Sequence, residues 1–186
     1  MRAAQQLWWR RVASVRQVPR WGVTVQRERA RRRPARCWMS YAATGNSTQE
    51  MHYLDTSAFL KLLVREVHTA AMARSVEGAD LWSSTLLAVE AHRAARRLGV
   101  PADEVDALLD EVSLILPAAP TFKAAQSVGS PELRVPDALH LASALEIGDE
   151  LESLITYDKR FAAAASVLGL IVSSPGLPRD WWKADL

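Results

Sequence analysis

From Met51 onward the chain alternates short apolar runs with stretches of helical character, and this alternation most constrains the fold. Strand-sized runs fall at Met51 to Leu54, Ala79 to Ser83, Leu114 to Leu116, Leu154 to Thr156 and Leu170 to Val172. Helical segments with recognisable start and stop signals lie between them. Thr56 or Ser57 suits the N-cap of a helix over 58–64. A second helix covers about 68–76 and stops near Gly78. Ser83 or Ser84 caps a third, which runs to Leu98 and stops at Gly99. Pro101 opens a fourth, with Asp103 and Glu104 in its favourable first turn. Further helices are read over 121–128, 137–147 and 159–168, with Gly148 and Gly169 closing the last two. Short apolar strands separated by helices predict an α/β fold with a parallel sheet covered on both faces. The tail from Pro175, with Trp181 and Trp182, is expected to pack back on the domain or on a partner.

Charge divides the 186 residues in two. Residues 1–50 hold eleven arginines, no lysine and two acids, a net +9; residues 51–186 hold 12 Lys and Arg against 19 Asp and Glu, a net −7; together they make the chain's +2. So sharp a split marks different kinds of sequence: a basic extension over 1–50, read as disordered or weakly ordered, and a domain over 51–186. Three accounts of the extension compete. It is an RNA-binding arm of arginine and tryptophan, a targeting segment, or not part of the natural protein, translation starting at Met51. The last is favoured, because Met51 immediately precedes the first strand of a complete domain. The single cysteine, Cys37, makes no internal disulfide and fits a reducing, cytoplasmic compartment. No apolar run approaches the roughly 20 residues that span a bilayer, so no membrane partner is expected.

Four acids stand where chemistry is expected. In parallel α/β sheets, sites form beyond the carboxyl ends of the strands, near a topological switch point. Asp55 ends the first strand, Asp158 follows the fourth, and Glu90 and Asp137 lie on helices next in line. Crowded carboxylates raise one another's pKa, and a divalent cation relieves that conflict. An all-oxygen set without clustered His or Cys fits Mg²⁺, or Mn²⁺, better than zinc. Such an ion activates water and stabilises charge on a phosphoryl group. Each acid also has an ordinary structural reading. Asp55 and Asp158 precede helices and suit N-caps, Asp137 suits a helix first turn, and Glu90 has Arg93 and Arg97 within helical reach.

The same residues carry a family resemblance. Tyr53-Leu54-Asp55-Thr56-Ser57-Ala58 resembles the first motif of PIN-domain nucleases, and Ser83-Ser84 through Val89-Glu90 the second. Val135-Pro136-Asp137-Ala138-Leu139-His140-Leu141-Ala142 is similar to the third, and Leu154-Ile155-Thr156-Tyr157-Asp158-Lys159-Arg160-Phe161 to the fourth. Order and spacing are similar to those of VapC toxins from bacterial toxin–antitoxin pairs, over residues 51–186 and none of 1–50. Pro136 departs mildly from the pattern, which more often has an apolar residue there. The resemblance implies a PIN-like three-layer fold with a five-stranded parallel sheet flanked by helices. It implies Mg²⁺- or Mn²⁺-dependent endoribonuclease activity on single-stranded regions of tRNA or rRNA. It also implies a homodimer and inhibition by a cognate VapB-like antitoxin. By the same carry-over, Asp55 and Asp137 are the first metal ligands, and Glu90 and Asp158 complete the acidic pocket. Thr56 and Thr156, with Ser57 behind them, orient ligands or water, and His140 packs or supports a ligand rather than acting as a base.

The net −7 of the domain does not exclude RNA, since local cations hold phosphates whatever the total charge. Candidates are Lys61, Arg65, Arg93, Arg134, Lys159 and Arg160. Rival readings lack their signatures. A haloacid-dehalogenase-type phosphatase needs a second Asp where Ser57 stands, a receiver domain needs paired acids near the first strand, and a dinucleotide site needs a glycine-rich turn absent from Asp55 to Lys61. The remaining alternatives are an RNA-processing nuclease outside a toxin–antitoxin pair and a catalytically silent interaction module.

Overall fold

The structure is a computed structural model that describes residues 50–184; the expectations for the arginine-rich segment fall outside the described residues. Five strands form the sheet: β1 (Met51–Leu54), β2 (Asp80–Ser84), β3 (Ser113–Ile115), β4 (Leu151–Ile155) and β5 (Val172–Ser173). Between them run α1 (Thr56–Leu63), α2 (Thr69–Ser75), α3 (Leu86–Leu98), α4 (Ala102–Leu109), α5 (Ala119–Ala125), α6 (Val135–Leu145) and α7 (Lys159–Val167). All strand pairs are parallel, in the order β3-β2-β1-β4-β5. Parallel neighbours require a crossover, and helices supply each one.

Side-chain alternation along the strands divides the core into two layers. Leu54, Leu81 and Ile155 face one way and meet Phe59, Leu62, Met72, Leu87, Val105 and Leu108 from α1 to α4. Met51, Tyr53, Trp82 and Leu154 face the other way and meet Leu141, Ala144, Phe161 and Ala165 from α6 and α7. Every residue of β1 is buried, as its position at the centre of the sheet demands. The sheet is thus the middle of three layers.

Several boundaries differ from the sequence reading by one to three residues. α1 begins at Thr56 because Asp55, rather than Thr56 or Ser57, is its N-cap: the carboxylate accepts the Ala58 N–H at 2.8 Å. An ionised acceptor holds a helix N–H more strongly than a hydroxyl does. The third helix takes Thr85 as its boundary residue, although Ser84 Oγ accepts from Leu86 N at 3.0 Å. β4 starts at Leu151, earlier than the apolar run, since backbone pairing with β1 extends past the residues that pack. The tail folds back on the domain: Trp182 is buried, and Trp181 Nε1 donates to Ser174 Oγ at 2.8 Å. Among the described residues, no helix is long and apolar enough to cross a membrane.

Candidate active site

The sheet order decides where the chemistry sits. The chain leaves β1 toward β2 and β3, then returns to place β4 on the other side of β1. The crevice at this reversal is bordered by the carboxyl ends of β1 and β4. Leu54 is in register with Ile155, so Asp55 and Thr156 emerge side by side. Thr156 Oγ1 donates to Asp55 Oδ2 at 2.7 Å, across 101 positions of sequence.

Asp55 is held rigidly. Its carboxylate accepts from Ser57 Oγ at 2.8 and 3.0 Å, from Ala58 N at 2.8 Å and from Thr156. Burial pushes the carboxyl up to about 6, against the hydrogen bonds from Thr156, Ala58 and Ser57 and the charge of His140. Ser57 Oγ also accepts from Tyr157 N at 2.7 Å, and Thr156 Oγ1 from Asp158 N at 3.0 Å. The two hydroxyls therefore tie the β1 turn to the β4 turn.

Asp158 caps α7, its Oδ1 accepting from Arg160 N at 2.8 Å and Phe161 N at 3.1 Å. The ordinary reading of Asp55 and Asp158 as caps thus describes them structurally, and both also line the cleft. The capping bonds go to Oδ1 of each carboxyl, and Asp55 Oδ2 accepts from Ser57 and Thr156. Asp137 lies in the first turn of α6, a half-buried acid without a hydrogen-bond partner among the described residues. Burial raises its pKa, and the charges of Asp158 and Glu90 add to the push against Arg134 and His140.

Glu90 on α3 is bound from two sides. Thr56 Oγ1 donates to its Oε2, and His140 Nε2 lies 3.1 Å from the same atom. Burial pushes this carboxyl up, but the His140 and Thr56 hydrogen bonds and the His140 charge together bring it below its ordinary value. Arg93 and Arg97, its candidate helical partners, make no ion pair with it; both line the cleft instead. His140 is buried, with Tyr53 Oη 2.8 Å from its Nδ1. Burial drives the Tyr53 hydroxyl far above its ordinary range, so it remains an O–H. The Glu90 carboxylate can only accept, so the His140 ring presents Nε2–H to it and turns Nδ1 toward the Tyr53 hydroxyl. Neither the Tyr53 to His140 link nor the cleft position of Arg97 was found by reading the sequence. The i, i+7 spacing of Glu90 and Arg97 on α3 was the available signal for the latter.

These groups surround one cleft of about 470 Å³, in which Asp55, Glu90, Asp137 and Asp158 all take part. Arg93 and Arg97 stand on one side and Arg134 on the α6 side. Of the other basic candidates, Lys61 pairs with Glu66 and lies 5.5 Å from the Tyr157 ring centroid. Arg65 and Lys159 do not line the cleft. Among the described residues no group of three acids or imidazoles is drawn tightly enough to cage a metal ion; the carboxylates converge without touching. The donor set still fits a hard divalent cation. It is all oxygen, Asp137 has an uncommitted carboxylate, and burial holds the Asp55 and Asp137 carboxyls above their ordinary pKa.

An α/β domain with a carboxylate cleft at the switch point of a five-stranded parallel sheet is the class that fold and site define. A match to the PIN domain covers residues 52–167 and includes all four acids. The chain is 38% identical over 136 residues to Ribonuclease VapC47 of Mycobacterium tuberculosis, covering 69% of this chain and all of that one. It is likewise 38% identical over 138 residues to Ribonuclease VapC35 of the same species, with the same coverage. Ribonuclease VapC46 is 36% identical over 125 residues, covering 66% of this chain and 96% of that one. The chain belongs to the PIN-domain family and is of its VapC type.

Proposed function

We propose that this protein is a toxin endoribonuclease that hydrolyses phosphodiester bonds in single-stranded regions of tRNA or rRNA. The observation that carries the reading is the convergence of Asp55, Glu90, Asp137 and Asp158 on one cleft rimmed by arginines. The ribonuclease names of its VapC relatives support the same activity. Asp55 and Asp137 would hold a Mg²⁺ or Mn²⁺ ion, and Glu90 and Asp158 would complete its surroundings directly or through water. When bound, the ion would supply an activated water and charge stabilisation at the phosphoryl group.

The remaining work belongs to the chain's own groups. Thr156, Ser57 and the Ala58 N–H fix the Asp55 carboxylate, so its orientation costs nothing when substrate arrives. Thr56 and His140 hold Glu90 as an anion, an acceptor for a proton of the attacking water. Tyr53 fixes the His140 ring that does this. Arg93, Arg97 and Arg134 offset the repulsion between an acidic floor and an RNA backbone. The same acidic floor suits a basic segment of a VapB-like antitoxin, and we assign the protein a homodimeric state by its type.

Incubation with tRNA and rRNA, with and without Mg²⁺ or Mn²⁺, tests the reading. Cleavage should need the ion and disappear in Asp55→Ala and Asp137→Ala. Equal cleavage by wild type and both variants, or none with either ion, would overturn it. Growth arrest on expression, relieved by a small neighbouring gene product, would separate a toxin from an RNA-processing nuclease.

A further inference from the structure

A second groove, of about 610 Å³, opens beside the acidic cleft. Leu133, Ala163, Ala164, Val167 and Leu168 give it an apolar lining between the 127–134 loop and α7. It is continuous with the cleft, because Arg134 and Asp137 line both. Arg160 lines the groove as well. Neither the Arg134 nor the Arg160 guanidinium has a hydrogen-bond or ion-pair partner among the described residues; their engaged groups are backbone, Arg160 N donating to Asp158 Oδ1 and Arg134 O accepting from Ala138 N. Val167 is 87% exposed, so the apolar surface is open to an occupant.

An apolar trough that runs into catalytic carboxylates past two uncommitted guanidiniums has the chemistry of a nucleotide. A base offers two apolar faces, and its backbone offers the anion. We propose that this groove is a nucleotide subsite, taking the base of the second nucleotide from the scissile phosphate of a single-stranded RNA while Arg134 and Arg160 hold the phosphate that joins it to the first. The inference rests on the nuclease reading and gives it a direction: the strand crosses the floor from Arg93 and Arg97 toward α7. No aromatic ring lines the groove, so the base is held by aliphatic contact with Leu133, Ala163, Ala164, Val167 and Leu168. Single-stranded targets follow from this arrangement, because a base must leave its helix to enter.

Equilibrium binding by the full chain tests the subsite, in EDTA so that hydrolysis is off. The probes are a short fluorescein-labelled RNA of random sequence and the same backbone with abasic riboses. Ala164→Phe fills the groove from α7, and Arg160→Glu reverses a charge where an acid favours the helix N-terminus, so folding is spared. Each should weaken RNA binding about tenfold. Against the abasic strand, Ala164→Phe should change nothing further, while Arg160→Glu should still weaken binding. Wild-type affinity in both variants would overturn the subsite. So would an equal effect of Ala164→Phe on both probes. If Ala164→Phe converts a sedimenting dimer to monomer with RNA affinity intact, a second copy occupies the groove and the proposal falls. Absence of Mg²⁺- or Mn²⁺-dependent cleavage with groove-dependent RNA binding intact would remove the nuclease reading alone. A wild-type protein that binds no RNA would remove both.

Discussion

Replacing Asp55 by Asn should stabilise the ion-free protein at alkaline pH while destroying its activity. Burial raises the Asp55 carboxyl from an ordinary 3.8 to about 6 in the folded chain. Below pH 3.8 it is protonated in both folded and unfolded chains, and its ionisation costs nothing. As pH rises toward 6, the unfolded chain releases the proton first, so stability falls. Above that point the buried charge carries its full penalty, about 3 kcal/mol at about 1.4 kcal/mol per pH unit. Asn keeps an oxygen for the Ala58 N–H but meets the Thr156 hydroxyl with an amide, returning about 1 kcal/mol of the gain. The net is about 2 kcal/mol at pH 8, or about 7 °C in Tm for a domain of this size. Thermal unfolding followed by circular dichroism, in EDTA at pH 4 and pH 8, measures it. The advantage of Asp55→Asn should appear at pH 8 and disappear at pH 4. Added Mg²⁺ should raise the Tm of wild type only, since a ligand stabilises the state that binds it. An Asp55→Asn protein less stable than wild type at pH 8, or a difference that does not change with pH, would refute the reasoning.

Other perturbations test separate links. Thr156→Val removes a fully buried hydroxyl that donates to Asp55 and accepts from Asp158 N; it should lower stability by about 1–3 kcal/mol in denaturant titration and reduce RNA cleavage strongly. Asp137→Asn should abolish cleavage while leaving Tm within a few degrees, because this half-buried carboxylate makes no hydrogen bond among the described residues that the amide would break. His140→Gln should retain more activity than His140→Ala, because Gln can still donate to Glu90; the kcat of the two variants on one RNA checks this. Gly176→Ala should destabilise the tail contact by about 1–2 kcal/mol, since φ is +92° and a Cβ would stand 2.6 Å from His68 Nδ1; thermal unfolding measures it.

Much of the domain was legible in the residues from Met51 onward. Apolar runs too short for helices, separated by helical segments, left little but a parallel sheet covered on both faces. The helix ends were read less well, because several chemically suitable caps stand in a row. At Asp55-Thr56-Ser57 the carboxylate took the Ala58 N–H and left the Ser57 hydroxyl to bind Asp55 itself and accept from Tyr157. Local sequence presents all three groups equally; the choice depends on what the second strand turn brings to them.

Sequence alone determined the alternation of elements, the placement of Asp55 and Asp158 at strand ends, and the family motifs that point to an acidic site. It did so because periodicity, capping and turn chemistry act over a few residues. The strand order, the Tyr53 to His140 to Glu90 chain and the groove beside the cleft were decided by tertiary structure. β4 lies against β1 because both faces of each strand must be buried, and that demand is met only by the whole packed sheet. Glu90 passes over Arg93 and Arg97 for a similar reason. A buried imidazole fixed by Tyr53 offers a preorganised donor, whereas an exposed arginine must surrender side-chain freedom to form a pair.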